Sequence, residues 1–428
     1  MGSDIMRLPF RGGTWNNGSN AGLAALNLNN SRANTNTNIG FRPAFGSSQK
    51  ATPHGALSSA LSKGCRCLGY RRKTEQAAPV RRAADFKALM YDQIISFDNL
   101  HQAALRCLCG KRTSPAALRY MQRLEEHLHD THNHLLHDSY QPGGYEEFYV
   151  FEPKQRLISA PRFVDRVVHR AIMNVLEPAL DPRFIFDSYA CRKGKGVHAG
   201  ANRAQRWMRA IRQAHGPLFC LKADISKYFA SVDHARLKAI LRRHIHCDRT
   251  LRLLDAIIDS SPGRPGVGIP LGNLTSQLFA NLYLNELDRY AKHDLGIRYY
   301  IRYMDDFVVL HHDKAQLQAW RACIEQFLWS ALRLTTNSKT QIFPVGPDNG
   351  RALDFLGYRI YPTHRLLRKN SIKRIRYKLR RFKRAIAAGR LTAGDCRPCI
   401  QSWCAHAAHA NTWRLRCSLF NISSGANR

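Results

Sequence analysis

The sequence predicts an α+β protein, on three observations. From about Asp85 onward, apolar residues recur first with a helical period and then as short runs separated by further helical stretches. Two adjacent acids, Asp305 and Asp306, stand between the apolar-rich stretches 299–303 and 307–310, which reads as a hairpin with acids at its tip. Beyond Arg365 the cations crowd together, outside the mixed body.

Taken in order, residues 1–80 are rich in Gly, Ser, Thr and above all Asn (Asn16, Asn17, Asn20, Asn27, Asn29, Asn30, Asn34, Asn36, Asn38) and lack the periodicity of a packed domain. A disordered tail is expected there. From about residue 85, Leu89, Ile94, Ile95, Leu100 and Leu105 mark the first helical stretch, and 116–136 reads as one further helix. The turn signal Gln141-Pro142-Gly143-Gly144 then precedes a strand at 145–151. Strands are expected at 218–225, 298–303, 307–311 and 355–360, and helices at 163–178, 234–246, 250–259, 275–292 and 314–332. Asp233 is expected to cap the helix that follows it. Past Arg365 come Arg368, Lys369, Lys373, Arg374, Arg376, Lys378, Arg380, Arg381, Lys383 and Arg384, a basic helix.

Charge narrows the partners. The 66 Lys and Arg against 31 Asp and Glu leave a net +35, the field of a protein that holds a polyanion with strong salt dependence. No uninterrupted apolar run reaches the ~18 residues a membrane helix needs, and no signal peptide opens the chain. The 12 cysteines are scattered in a chain too large to need disulfide staples, which points to a reducing cytoplasm. Cys396, Cys399 and Cys404 with His406 and His409 have zinc-like spacing; the plainer reading is a C-terminal helix with Cys as a small apolar residue.

Adjacent carboxylates repel, so Asp305 and Asp306 at a hairpin tip call for a divalent cation with hard oxygen ligands. A third acid, Asp224, ends the apolar strand Cys220-Leu221-Lys222-Ala223. Three such acids suffice for a two-cation site that activates an attacking 3′-oxygen and stabilises a leaving pyrophosphate.

At these residues the chain resembles the reverse transcriptase family, through a succession of motifs in family order from about residue 85 to 365. The resemblance implies a right-hand polymerase fold: fingers and palm over 85–345, the palm an antiparallel sheet plus helices, then a primer grip and basic helical thumb over 346–428. It implies two Mg²⁺, for which Mn²⁺ can substitute, at Asp224, Ile225, Asp305 and Asp306. Lys154 and Arg156 resemble the fingers residues that hold the incoming triphosphate, a point charge and a planar fork. Phe229, five residues after Asp224, takes the place of the aromatic that rejects a 2′-hydroxyl, so deoxynucleotides are implied. Tyr303 and Met304 precede the acid pair in the nucleotide pocket. The basic Gly-containing loop 187–198 is similar to a second fingers motif. Lys339 resembles a palm lysine that protonates departing pyrophosphate, with a solvated surface Lys the open alternative. Phe355, Leu356, Gly357 and Tyr358 look like the primer grip.

One departure identifies a subgroup. Most of the family carries Gln-Gly and then Ser-Pro where this chain has Leu271-Gly272 and Ser276-Gln277, a pattern similar to diversity-generating retroelement polymerases. Leu271 removes a hydrogen-bonding side chain from the nucleotide pocket, and error-prone copying of template adenines is implied. Residues 11–42 resemble the variable segment of such elements' target proteins, so the first 46 or so residues read either as a translated template repeat or as a low-complexity leader. The implied partners are an RNA template, a DNA primer, deoxynucleoside triphosphates and a basic oligomeric accessory protein, in a bacterial or phage-encoded setting. The alternatives are a group II intron or retron polymerase, although no maturase or Cys/His nuclease module is legible after the basic helix, and a non-catalytic RNA-binding protein on the same fold.

Overall fold

The computed structural model describes residues 90–110, 114–151, 155–347 and 350–420. The Asn-rich tail and Lys154 lie outside the described residues. The chain opens with helices α1 (Met90–Ile95) and α2 (Phe97–Leu108), divided at Ser96, whose hydroxyl accepts from the Asn99 N–H as the cap of α2. Next come α3 (Pro115–Gln122) and α4 (Leu124–Leu136), in place of the single helix expected over 116–136. Arg123, at φ −128° and ψ 43°, breaks it, and Tyr120 stacks on His127 across the break and packs at a tilt against Phe163.

A hairpin of β1 (Tyr145–Val150) and β2 (Arg156–Pro161) leads into the long buried helix α5 (Phe163–Leu180). Helix α6 (Val197–His215) follows, and then the central sheet begins with β3 (Phe219–Asp224). After the short α7 (Tyr228–Ser231), helices α8 (His234–His244) and α9 (Asp248–Asp259) precede α10 (Leu274–Arg289). As expected, Asp233 caps α8, accepting from the Arg236 N–H at 2.9 Å. Strands β4 (Tyr300–Tyr303) and β5 (Asp306–His311), helix α11 (Lys314–Leu332) and β6 (Gln341–Pro344) complete a four-stranded antiparallel sheet of order β4-β5-β3-β6.

Alternation along these strands feeds two cores. Leu221, Ala223, Phe307 and Val309 join the helical core that contains α5, α10 and α11. Cys220, Ile301, Val308 and Leu310 face α6 and a second sheet. Both faces are covered, which is why β5 reads as an unbroken apolar run and not as polar alternation.

The second sheet consists of β7 (Leu353–Phe355), β8 (Tyr358–Ile360) and β9 (Arg365–Leu367). The stretch 355–360, one strand by periodicity and a primer-grip hairpin by resemblance, is a hairpin. Leu356 (φ 53°) and Gly357 (φ 87°) both take the left-handed conformation that a tight two-residue turn requires, and Phe355 pairs with Tyr358 across it.

Helices α12 (Lys369–Ala387), α13 (Ala393–Ala408) and α14 (Trp413–Phe420) form a third core from Ile375, Leu379, Cys396, Ile400, Cys404 and Phe420. Cys396 and Cys404 are thus packing residues, whereas His406 turns to the Tyr358 hydroxyl. No described helix is long and apolar enough to cross a membrane.

Candidate active site

The in-register pairing of β3 and β5 sets Asp224 opposite Asp306, and Tyr303 with Asp306 closes the β4–β5 hairpin so that Met304 and Asp305 form its turn. The Ile225 N–H then donates to the Asp305 carbonyl at 3.2 Å. Three acids from two distant segments meet at one end of the sheet.

Their electrostatics follow from crowding out of water. Burial first, and the Asp224 charge second, push the Asp305 carboxyl up to about 6. Asp306 is pushed up to about 7, again chiefly by burial; Lys222 draws it down, while Asp224 and Asp305 add to the rise. The Lys222 ammonium lies 3.7 Å from Asp306 Oδ2, while Oδ1 is buried without a hydrogen-bond partner. An unmatched buried carboxylate oxygen within an all-oxygen donor set fits a hard divalent cation. Asp224, Asp305 and Asp306 are the residues that fit this role, with the Ile225 backbone beside them. Among the described residues no three His, Cys, Asp or Glu side chains stand together as a group that could hold a metal ion as they are. Lys222 meanwhile supplies the positive charge that Asp306 faces.

Among the remaining expected residues, Arg156 and the turn of Lys339 are tied to these acids. Arg156, at the start of β2, is near enough to lower the Asp305 pKa. Phe229 is half-buried in α7, and its carbonyl accepts from the Ile269 N–H at 2.8 Å, which draws the 269–273 loop alongside. In that loop the Leu271 carbonyl accepts from the Ser159 N–H at 2.9 Å. Gln277 is half-buried in the first turn of α10. Met304 is buried in the acid turn, with Tyr303 half-buried beside it. Lys339 is exposed in a turn whose Asn337 N–H donates to the Asp224 carbonyl at 2.6 Å.

The four residues expected at the primer grip divide by burial. Phe355 and Tyr358 are fully buried in the second core, and the Tyr358 hydroxyl bonds His198 and the His406 carbonyl, so neither ring is free to touch a primer. The turn residues Leu356 and Gly357 are only half-buried.

Gly272 explains itself. Its φ is +131°, and a Cβ built on it would lie 2.6 Å from the Ser159 carbonyl oxygen, so the loop can sit against β2 only without a side chain. We expect Gly272→Ala to destabilise the fold by about 1–3 kcal/mol in urea titration and to raise the KM for nucleotide. An unchanged denaturation midpoint would show that the loop adjusts freely.

Three residues of this neighbourhood escaped the sequence reading. Lys222 lies two positions before Asp224 and so on the same face of β3, a period-two signal that was available. Arg368 lowers the Asp306 pKa and pairs with Asp354 in the hairpin sheet; only the fold brings it there. Arg302 is buried behind the acid turn and ion-paired to Asp288.

Residues 151–360 match the family described as reverse transcriptase (RNA-dependent DNA polymerase). Protein YkfC of Escherichia coli (strain K12) is 29% identical over 290 residues, 58% of this chain and 73% of that protein. The group II intron-encoded protein LtrA of Lactococcus lactis subsp. cremoris is 24% identical over 166 residues; the match covers 37% of this chain but only 27% of LtrA. Among solved structures, apo telomerase from Candida tropicalis truncated from the C-terminal domain matches at a TM-score of 0.43 and 11% identity, over 52% of this chain and 55% of that one. A partial Cas6-RT-Cas1–Cas2 complex matches at 0.35 and 19%, over 56% and 42%.

Proposed function

We propose that the chain, an RNA-directed DNA polymerase by the reverse transcriptase domain it carries over residues 151–360, extends a DNA primer along a template-repeat RNA at Asp224, Asp305 and Asp306. The observation that carries the reading is the register that sets Asp224 opposite Asp306 beside the Asp305 turn. When bound at these acids, two Mg²⁺ or Mn²⁺ ions supply activation of the 3′-oxygen and stabilisation of the leaving pyrophosphate. Arg156, with Lys154, holds the triphosphate by charge-assisted hydrogen bonds. Phe229 packs under the sugar and excludes a 2′-hydroxyl. Lys339, in the turn tied to Asp224, gives a proton to the departing pyrophosphate. In this reading the β1–β2 hairpin belongs to the fingers, the four-stranded sheet to the palm, and α12–α14 to a thumb, with the Leu356–Gly357 turn facing the primer end.

The finer reading is diversity-generating retrohoming, in which copying is error-prone at template adenines and a basic oligomeric accessory protein joins the polymerase. Leu271 and Gln277 support it, since an aliphatic Leu, in a loop tied to Phe229 through the Ile269 N–H, stands where most of the family carries a hydrogen-bonding Gln. The test is primer extension on RNA templates with each base in turn. Leu271→Gln, gaining a hydrogen bond of about 1 kcal/mol, should cut misincorporation opposite adenine by roughly 2–10-fold. A variant as error-prone as its parent would overturn the role given to Leu271. The identity with LtrA favours a second reading, a group II intron-type polymerase, whose expected signature is an error rate even across all four template bases.

A further inference from the structure

Arg302 stands in β4 two residues before Met304, yet it is fully buried. A buried guanidinium is costly unless its donors are matched. Asp288, equally buried on α10, accepts from Nε and Nη2 at 2.7 and 2.6 Å and holds the fork in one plane. The Tyr300 hydroxyl donates to the same carboxylate at 2.8 Å. With this edge of the guanidinium fixed, Nη1 is aimed at the Met304 carbonyl, to which it donates at 2.9 Å.

That carbonyl belongs to a strained residue. Met304 has φ +56°, a left-handed conformation that side chains other than Gly, Asn and Asp rarely adopt. The turn presenting Asp305 therefore runs against its backbone preference, and the Arg302 side chain bonds it at the strained residue. The same residue also reaches the basic loop segment: its backbone N–H donates to the Asp187 carbonyl and its carbonyl accepts from the Tyr189 N–H, both at 3.0 Å.

We infer that Arg302, locked by Asp288, is a positioning residue that fixes the left-handed Met304 turn, so that Asp305 faces Asp224 in cation-binding geometry before any nucleic acid arrives. The inference rests on the reading that these acids hold divalent cations. Lysine at 302 keeps the charge but, as a single point donor, cannot bond both oxygens of Asp288 and still reach Met304.

The test is Mn²⁺ binding to the full chain without nucleic acid, followed by the electron paramagnetic resonance of free Mn²⁺. Arg302→Lys should bind about 10–100-fold more weakly than the parent, the range for residues that orient metal ligands. Adding Met304→Gly to Arg302→Lys should recover most of that loss, because Gly adopts the left-handed turn without support. A merely structural arginine would show no such rescue. Met304→Val, which leaves the ion pair intact but disfavours positive φ, should weaken binding about tenfold and keeps the test alive if Arg302→Lys fails to fold. Parent-like Mn²⁺ affinity in either Arg302→Lys or Met304→Val overturns the inference, as does a folded Arg302→Lys that Met304→Gly does not rescue. Equal Mn²⁺ binding by the parent and Asp305→Asn overturns instead the reading of the acids as cation ligands, and the inference with it.

Discussion

Replacement of Asp305 by alanine is expected to lower the kcat of primer extension on an RNA template by on the order of 10³-fold or more, with RNA affinity unchanged. Electrostatic stabilisation by a site of this kind is worth several kcal/mol, and each ~1.4 kcal/mol is tenfold in rate. Asp305 sits in a turn whose backbone is already committed: its carbonyl accepts from the Ile225 N–H, and the Tyr303–Asp306 pair closes the hairpin, so removal of the carboxylate leaves the strand register in place. Stability should move the opposite way. Three like charges crowded at one sheet end, two of them shifted upward by burial and by one another, oppose folding when no cation is present. Asp305→Asn should therefore raise the melting temperature of the metal-free protein while abolishing synthesis. A structural acid would show the reverse on melting, and residual activity within tenfold of the parent would remove Asp305 from the chemistry.

The legibility of this site has a local cause. Asp224, Asp305 and Asp306 interrupt apolar strands, where an acid has no stabilising role, so the chain betrays them without any knowledge of what packs around them. Lys222 carried the same kind of signal, since strand alternation puts it on the face of Asp224, but a Lys in a strand is ordinary until Asp306 is found 3.7 Å away. Arg302 was hidden for a different reason. As one polar residue among the apolar side chains of β4 it reads as an exposed position, and only the packing of α10 reveals Asp288 as its partner. Helix α6 was missed although Ala201, Ala204, Met208 and Ile211 follow helical spacing, because these few apolar residues are diluted by Arg203, Arg206, Arg209 and Arg212. The hairpin at 355–360 was legible through its resemblance to a primer-grip hairpin but not through periodicity, which reads it as one strand, because Leu356 gives no sign of positive φ and Gly357 alone looks like an interior strand glycine. Local chemistry is thus written in the chain, whereas partners chosen by long-range packing are not.

Neutralising four cations of α12 (Lys373, Arg374, Arg380 and Arg381, each to alanine) should weaken binding of a template–primer duplex by roughly 10²–10³-fold at physiological salt. The helix buries only Ile375 and Leu379 against its neighbours, which leaves these four side chains exposed, together with Tyr377 at 66% exposure. Its N-terminal end is anchored beside the acids, since Arg368 pairs with Asp354 of the hairpin sheet and is felt by Asp306. A duplex whose primer end meets the acids would thus run along this face. Each phosphate left without its cation should reduce the slope of log affinity against log salt by about 0.7–0.9, or about 3 for all four, and that slope sets the expected fall in affinity. Stability should change little, because exposed side chains away from caps and ion pairs contribute within about ±0.5 kcal/mol each. The rate of a single turnover from a preformed complex should be retained, which separates grip from chemistry and sets this variant apart from Asp305→Ala. A salt slope equal to that of the parent would mean that the exposed face of α12 is only solvated, and that the duplex leaves the acids along another surface.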